Sequence, residues 1–543
     1  MRYLTSPMAL GACLVFTAGA TAQQLVGEAE SAARDSDVIV VTATRTATPI
    51  ERIPAQIDVI DRNEIELNVV QTLADALAFS PGVNAVQSGP AGSITSVFSR
   101  GSNSKHTLAL FDGIRLNDAS APNGQYNFGQ DTLADAERIE VVRGPLSSVY
   151  GSDAVGGVIN IIPRLGADKP FAPYFEASFG EFNTLRGVVG AAGTAGRVSY
   201  NLTIEALDTD GFDEVPPRMS TRTGDPDGAD FTTVTAIGEY AVNDQISVEA
   251  LVRVRDASSQ FDTFSGGPSG FQRADDPDLG VGEDRYTVWR VGAGWRAADG
   301  RFESELRGGQ VENERESVNG GLVTDTARGE RDFAEWLNVW SPQAAGFLLA
   351  PSVSFGAQYQ SESIDVDPEF SNPLSQEESS YGAFALLTAG LSETFDVTLS
   401  GRIDDFENFG SQATWNAGAV YNVVMLRTRL TAAWGTSFKA PTLSERFSSS
   451  PFTTPNPDLE PEEGGTFEVG FETRLPAAGR EESLRFGATY FDSTIEDLIE
   501  NQFDFATFTG QNRNVGKADI EGYEAFIDWR PTDALRARVD YTY

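Results

Sequence analysis

Beyond residue 166 the chain reads as long runs in which apolar residues alternate with glycine, hydroxyl-bearing or charged ones. Tyr174-Phe175-Glu176-Ala177-Ser178-Phe179 is one such run; residues 233–242, 246–254, 353–360, 416–421, 430–434, 467–471 and 484–491 hold others. A period of two places the apolar side chains on one face of a strand and the polar ones on the other. Short turns alternate with long Gly-, Pro- and Asp-rich loops such as 208–230 and 261–283. One short-turned rim and one long-looped rim make the texture of a transmembrane β-barrel. Tyr286, Trp289, Trp295, Trp336 and Trp340 fall near strand ends and suit an aromatic girdle at the membrane interface. A soluble sandwich or propeller also alternates, but no short-period internal repeat favours a propeller.

Residues 53–165 have a different texture, mixed α/β. Residues 56–60, 97–100, 107–111 and 139–143 read as strands, and 62–79 as one or two short helices. Asp61 is the expected N-cap and Pro81-Gly82 the stop. Asp112-Gly113 is a two-residue hairpin signal between Leu110-Phe111 and Ile114-Arg115. Ahead of this lies a secretory signal peptide over residues 1–22, with Arg2, an apolar stretch from Met8 to Ala18 and the small-residue cleavage site Ala20-Thr21-Ala22. A lipoprotein site at Leu10-Gly11-Ala12-Cys13 is the rival reading; the apolar segment before Cys13 is short for it. Residues 23–52 form a small, polar leader interrupted by the β-prone run Asp37-Val38-Ile39-Val40-Val41-Thr42-Ala43. That run is either a first strand or an exposed strand for another protein to capture by β-augmentation.

Composition then narrows function. The 543 residues carry a formal net charge of −39, one Cys and one His. The acidity argues against nucleic acid as a partner, since phosphate binding needs clustered Lys and Arg. No stretch of about 20 apolar residues follows the N-terminus, so no transmembrane helix is expected. Once Cys13 is cleaved away, no disulfide, thiol nucleophile or thiolate metal site can form. A lone His cannot complete a Ser-His-Asp set and no phosphate loop is present, so an enzyme is not expected.

The segment Glu137-Arg138-Ile139-Glu140-Val141-Val142-Arg143-Gly144-Pro145, continuing through Val149-Tyr150-Gly151 and Ala154-Val155-Gly156-Gly157-Val158-Ile159-Asn160, closely resembles the end of the plug domain of TonB-dependent receptors. Phe98-Ser99-Arg100-Gly101 and Leu110 to Asn117 match the plug as well. Gly435 to Leu443, Asn456 to Glu462 and Phe467 to Phe471 are similar to barrel motifs of that family. Within it, Asp37 to Ala43 and the plug wording around Ser93 to His106 are similar to cobalamin receptors.

The resemblance implies a mostly β architecture: a plug (53–165) inside a transmembrane antiparallel barrel (166–543) in the outer membrane of a Gram-negative bacterium. The family's barrels have 22 strands. Roughly 17 strands are readable here, and bacterial barrels close with an even number, so the chain is expected to lack several C-terminal strands. It implies a monomer in outer-membrane lipid that imports a large nutrient, cobalamin or a related corrinoid, with force from TonB and its inner-membrane energising complex. Asp37, Val38, Ile39, Val40, Val41, Thr42 and Ala43 would be the Ton box that TonB captures. Arg100 and Arg143 would meet the barrel carboxylates Glu468 and Glu524, since lone buried charges are costly. Ser88, Ser93, Thr95, Asn117, Asn123 and Gln125, on plug apices, would contact ligand. Carboxylates at alternate loop positions suit a hard cation. Among Asp208, Asp210, Asp213, Asp225, Asp227, Asp230, Asp256 and Asp262, the resemblance points to Asp213, Asp225, Asp227 and Asp256 as Ca²⁺ ligands. A ferric-siderophore receptor is the alternative. A haem receptor is disfavoured because no His lies between Phe438 and Leu459.

Overall fold

The computed structural model describes residues 39–218, 222–267, 270–274, 280–343, 348–477, 479–532 and 534–543. The expected signal peptide, the leader up to residue 38 and, with it, Asp37 and Val38 lie outside the described residues.

The plug is built from short elements with local reasons for their ends. β1 (Ile39–Val40) pairs antiparallel with β2 (Thr48–Pro49). After β3 (Ile57–Asp61) comes α1 (Arg62–Leu67), whose N-cap Asp61 accepts from the Glu64 N–H at 2.8 Å. α2 (Leu73–Leu77) starts on a reciprocal Thr72–Asp75 capping box. β4 (Val83–Gln87) and β5 (Thr95–Ser99) form a hairpin. β6 (Thr107–Phe111) turns into β7 (Ile114–Arg115) through Asp112 and Gly113, both with positive φ, as a two-residue hairpin that matches strand twist requires. β8 (Ala136–Arg143), α3 (Ser147–Tyr150) and β9 (Gly157–Pro163) complete it. The sheet order is β3-β8-β9-β6-β7, with β6 and β9 parallel.

Around the plug runs one large sheet. Its wall strands are β10 (Ala172–Phe179), β11 (Leu185–Ala195), β12 (Val198–Phe212), β13 (Asp227–Ala241) and β14 (Ile246–Phe261). A small hairpin of β15 (Thr263–Gly267) and β16 (Gly270–Ala274) intervenes. The wall resumes with β17 (Gly280–Arg296), β18 (Phe302–Asn319), β19 (Leu322–Trp340), β20 (Leu349–Asp367), β21 (Leu374–Ser392), β22 (Phe395–Phe406), β23 (Gly410–Val423) and β24 (Thr428–Lys439). α4 (Leu443–Phe447) and the two-residue β25 (Thr453–Thr454) sit in the next loop, before β26 (Glu462–Ala477), β27 (Arg480–Asp504), β28 (Thr509–Thr532) and β29 (Leu535–Thr542). Each wall strand pairs antiparallel with its neighbour in chain order.

The pleat is inverted relative to a soluble protein. On β12, Asn201, Thr203 and Glu205 point inward and are buried, while Leu202 and Ile204 face out and are exposed. Trp289, Trp295, Trp336 and Trp340 are likewise exposed on the outside. Among the described residues no helix is long and apolar enough to cross a membrane; the outward strand faces carry the apolar surface.

Two expectations need correction. Tyr286 is not in the girdle: residues 286, 288 and 290 share the inward face of β17, and Tyr286 is buried against Tyr126 while donating to the Leu116 carbonyl. The loop expected over 208–230 is shorter, because Asp208 pairs with Asp230 and Thr209 with Ala229, extending β12 and β13 past the polar residues. Polar side chains there do not stop a strand whose backbone finds a partner.

Candidate functional site

On the long-looped rim, plug apices and barrel wall enclose a cavity of about 390 Å³. Ser88, Ser93 and Gln125 line it, with Asn127 and Gln130 beside them and Ser259, Tyr286, Asn313 and Arg315 from the wall. The other three expected ligand residues do not line it. Thr95 is buried in β5, its N–H donating to Asn127 at 2.9 Å. Asn117 is buried and cross-braces the β6–β7 turn, accepting from Ala109 N–H at 2.8 Å and donating to the carbonyls of Thr107 and Gly124. Asn123 caps its own turn by accepting from Gln125 N–H at 3.2 Å. These side chains hold the apices in shape because Asn and Thr satisfy backbone groups in tight turns.

At the edge of this cavity the carboxylates of Glu214, Asp227 and Asp262 each bring one oxygen within 4.8 Å of the others; Glu214 lines the cavity itself. Of the four aspartates expected as Ca²⁺ ligands only Asp227 belongs to this group. Asp213 instead accepts from Val215 N–H at 2.7 Å and pairs with Arg222. Asp256 follows the inward-facing Arg255, so the pleat turns it outward, where it pairs with Arg285 at 2.6 Å. Asp225 is not in the convergent group. Alternation along β14 separates Asp256 from the cluster, and spacing within a loop could not reveal it. Glu214 carried no signal in the sequence beyond its acidic loop.

The four residues expected between plug and barrel do meet. Arg100 donates from Nε and Nη2 to Glu524 at 2.9 and 3.0 Å and from Nη1 to Glu468 at 2.6 Å. Arg143 approaches Glu524 at 3.6 Å and donates to the Pro81 carbonyl. Burial opposes the charge on Arg100, but Glu468 and Glu524 outweigh it and raise its pKa above the ordinary value. A second charged cluster was not foreseen. Arg253 and Arg255, both about 1% exposed, point inward from β14 onto the plug. Arg253 reaches Asp131 at 2.8 Å and Asp135 at 2.9 Å; Arg255 reaches Asp131 at 3.1 Å and the barrel's own Asp284 at 3.0 Å. Burial works to raise the Asp131 pKa, yet the two guanidiniums hold it below the usual carboxylate value. The available signal was Arg-x-Arg inside an otherwise apolar alternating run, two charges on one face.

On the short-turned rim the described part of the β-prone run, Ile39 to Ala43, is folded back onto the plug. Val40, Thr42 and Ala43 are buried. Glu140 accepts from the Val41 N–H at 3.1 Å and from the Thr42 N–H and hydroxyl at 2.9 and 2.6 Å; Asn160 donates to the Thr42 hydroxyl and Tyr150 to its carbonyl. Arg45, at positive φ, stacks between Tyr150 and Phe384 and pairs with Glu335. Burial first, then the nearby Arg307 and Arg402, bring its guanidinium pKa down to about 9. The strap, residues 39–52, is thus held by hydrogen bonds to Glu140, by apolar burial of Val40 and Ala43, and by Arg45 on Glu335 and Arg52 on Asp396. β1 uses only two residues of strand pairing.

Comparison with known proteins agrees with this architecture. Residues 49–158 match the TonB-dependent Receptor Plug Domain model and residues 301–543 the model of a TonB dependent receptor-like beta-barrel. A vitamin B12 transporter BtuB of Photobacterium profundum is 28% identical over 515 residues, covering 94% of this chain and 78% of that protein. The vitamin B12 transporter BtuB of Vibrio vulnificus strain YJ016 is 30% identical over 503 residues, covering 90% and 75%. Among solved structures, the siderophore receptor PirA from Pseudomonas aeruginosa superimposes with a TM-score of 0.69 at 18% identity, covering 90% of this chain and 84% of that one. This last likeness is one of fold. A plug inside a large antiparallel wall agrees with both family models, and the chain belongs to the TonB-dependent receptors of the outer membrane.

Proposed function

We propose that this receptor binds cobalamin or a related corrinoid in the cavity between the plug apices and the wall, and imports it with force delivered by TonB. The observation that carries the reading is the sequence likeness to vitamin B12 transporters, which runs through plug and barrel together. The cavity supports it: Ser88, Ser93, Gln125, Asn127 and Ser259 offer neutral donors and acceptors to a large, polar, amide-rich ligand. Arg255 and Arg315 also line it, but are bound to Asp284 and Asp118, which reduces their value for an anionic siderophore.

TonB would capture the Ton box, residues 37–43, through its backbone once the strap leaves Glu140. Ca²⁺ would sit on Glu214, Asp227 and Asp262, three oxygen donors of the kind this ion takes. It would tie the β12–β13 loop to the end of β14 at the cavity's edge. The test is calorimetric titration of cyanocobalamin into the purified receptor, with Ca²⁺ and then with a chelator. Tight binding that weakens on chelation supports ligand and ion together. Tight binding indifferent to chelation retains the ligand and removes the ion. Absence of binding in both conditions overturns the corrinoid reading.

A further inference from the structure

The plug meets its wall in unlike ways around its circumference. Toward β13–β17 it is held by buried charge: Arg253 and Arg255 on Asp131, Arg253 on Asp135, and Arg290 on Asp112. Toward β26 and β28 it is again held by charge, through Arg100 on Glu468 and Glu524 and through Lys105 on Glu462, which also shares a hydrogen bond with His106. Between these lie β20 to β23. Among the described residues the plug body, 53–163, forms no ion pair with these four strands. Their charged residues Glu362, Glu378 and Arg402 pair with the barrel's own Arg331, Arg446 and Asp404. The ionic ties from the N-terminal chain to this sector come from the strap, Arg45 to Glu335 on its border and Arg52 to Asp396 at 2.8 Å.

The same four strands each carry one buried hydroxyl oxygen without a hydrogen-bond partner: Ser354, Thr388, Thr398 and Thr414. Asn338 on β19 and Ser437 on β24 continue the series on either side. Buried polar atoms are ordinarily satisfied, and water is what satisfies them where protein does not. Unpartnered buried atoms occur on β14, β17 and β18 too, among them Arg255 Nε, Arg290 Nε and Asn313 Oδ1. On β20–β23 they are neutral hydroxyls, and the packing there is apolar, with Leu386 of β21 in one cluster with Leu146, Val149 and Tyr150 of the plug. Parting this face therefore strands no charge.

Two small cavities lie along it. One of about 40 Å³ is bounded by Thr398 and Ser400 of β22; the other, about 60 Å³, by Arg402, Asp404 and Phe406 of the same strand. These are successive inward positions of one strand, so the cavities lie end to end. The plug's α3 separates them, with Ser148 Oγ 2.7 Å from Ser400 Oγ and Arg402 donating to the Val149 carbonyl. The inner cavity is also bounded by the strap residues Ala43 and Thr44.

The geometry points to a transit path between the plug and strands β20–β23, opened when the strap and α3 are displaced while the plug body stays anchored on β13–β17. This rests on the receptor being a transporter. Pulling the strap removes the ionic ties of this sector. Separating the opposite wall would strand buried charges, which is far more costly than parting a face whose own charges pair within the barrel.

Two disulfides decide it. Beyond Cys13 the chain has no cysteine to compete. Ser148→Cys with Ser400→Cys ties α3 to β22; Thr132→Cys with Thr233→Cys, whose hydroxyls lie 3.0 Å apart, ties the plug to β13. Cyanocobalamin uptake by TonB-bearing cells should stop when the first pair is oxidised and return on reduction. It should continue with the second pair oxidised. Uptake through the oxidised 148–400 pair, or equal blockade by both, overturns the path. A ligand-free measurement accompanies it, reaction of single cysteines with a small maleimide in the purified receptor. Thr398→Cys and Thr414→Cys should react about tenfold faster than Thr233→Cys and Thr235→Cys, as a weakly held face opens locally more often. Equal rates overturn the weakly tied sector. Unlinked variants that take up no cyanocobalamin count against the corrinoid reading alone, since labelling still decides the sector.

Discussion

Asp131 shows what a single side chain can contribute at the plug–barrel boundary. It is buried, accepts from Arg253 and Arg255, and receives the Tyr126 hydroxyl. Removing one partner of a buried pair leaves the other charge uncompensated, which costs about 3–5 kcal/mol. Asp131→Asn should therefore lower the free energy of plug unfolding, read from denaturant titration, by an amount in that range. The pH dependence follows from the depressed pKa. A carboxyl held below its unfolded value of about 3.9 stabilises fully above that value and loses the contribution as pH falls through the folded one. The gap between wild type and Asp131→Asn should be flat above about pH 5 and close below about pH 4. A gap independent of pH down to acid unfolding would refute the assignment of that charge. Arg100→Ala should behave comparably, because Glu468 and Glu524 would share a buried site with only Arg143, 3.6 Å from Glu524, as a cation. Arg100 is also at positive φ, so even Arg100→Lys retains the backbone strain while losing the bidentate geometry.

Elements matter most at the strap, where one short strand serves two pairings. Its Val41 and Thr42 N–H groups are engaged by Glu140 in the docked form; TonB capture would need donors from the same run. Val41→Pro removes one of them in both states. Cyanocobalamin binding should be unchanged by calorimetry and uptake should be lost; retained uptake would show that the strap is not captured through its backbone there. Glu140→Gln weakens the docked form alone, since a neutral amide is a poorer acceptor than a carboxylate. Protease cleavage near residues 39–43 should rise in this variant without any ligand, and an unchanged rate would mean Arg45 holds the strap without help.

At the scale of the whole molecule, two packings share one chain. Apolar clusters join plug to wall: Phe111, Tyr126, Leu133 and Val141 of the plug form one core with Ile237, Leu251 and Val288 of the barrel. The ionic contacts around this core are buried, and salt screens buried pairs little. The thermal midpoint of the receptor should thus move little between about 0.1 and 1 M salt, whereas a large fall would mean that the contacts are solvated in solution. The sectoral difference also lives at this scale. Neither Thr398 nor Thr414 is unusual by itself; their meaning comes from recurring on adjacent strands that carry no ionic tie to the plug body.

Much of the architecture could be read from one dimension. Alternation on β12, β13 and β14 is a local consequence of the pleat, so it appears in sequence wherever one face meets lipid and the other a polar interior. Asp61 and Asp112-Gly113 act on neighbours within three residues, which is why cap and turn were visible. The meeting of Arg100 with Glu468 and Glu524 came through resemblance, since partners more than 360 residues apart leave no local trace. Tyr286 was misplaced for the complementary reason: its position near a strand end was legible, but which way the pleat turned it was not. Which carboxylates converge, Glu214, Asp227 and Asp262 rather than Asp213, Asp225 and Asp256, depends on the register of β12, β13 and β14. The same holds for the Glu140 that receives the strap and for the sector at β20–β23, which carries no ionic tie to the plug body. Sequence by itself determined what each local segment would become; only the wall folded around the plug decided which side chains face one another, because that depends on the register of distant strands.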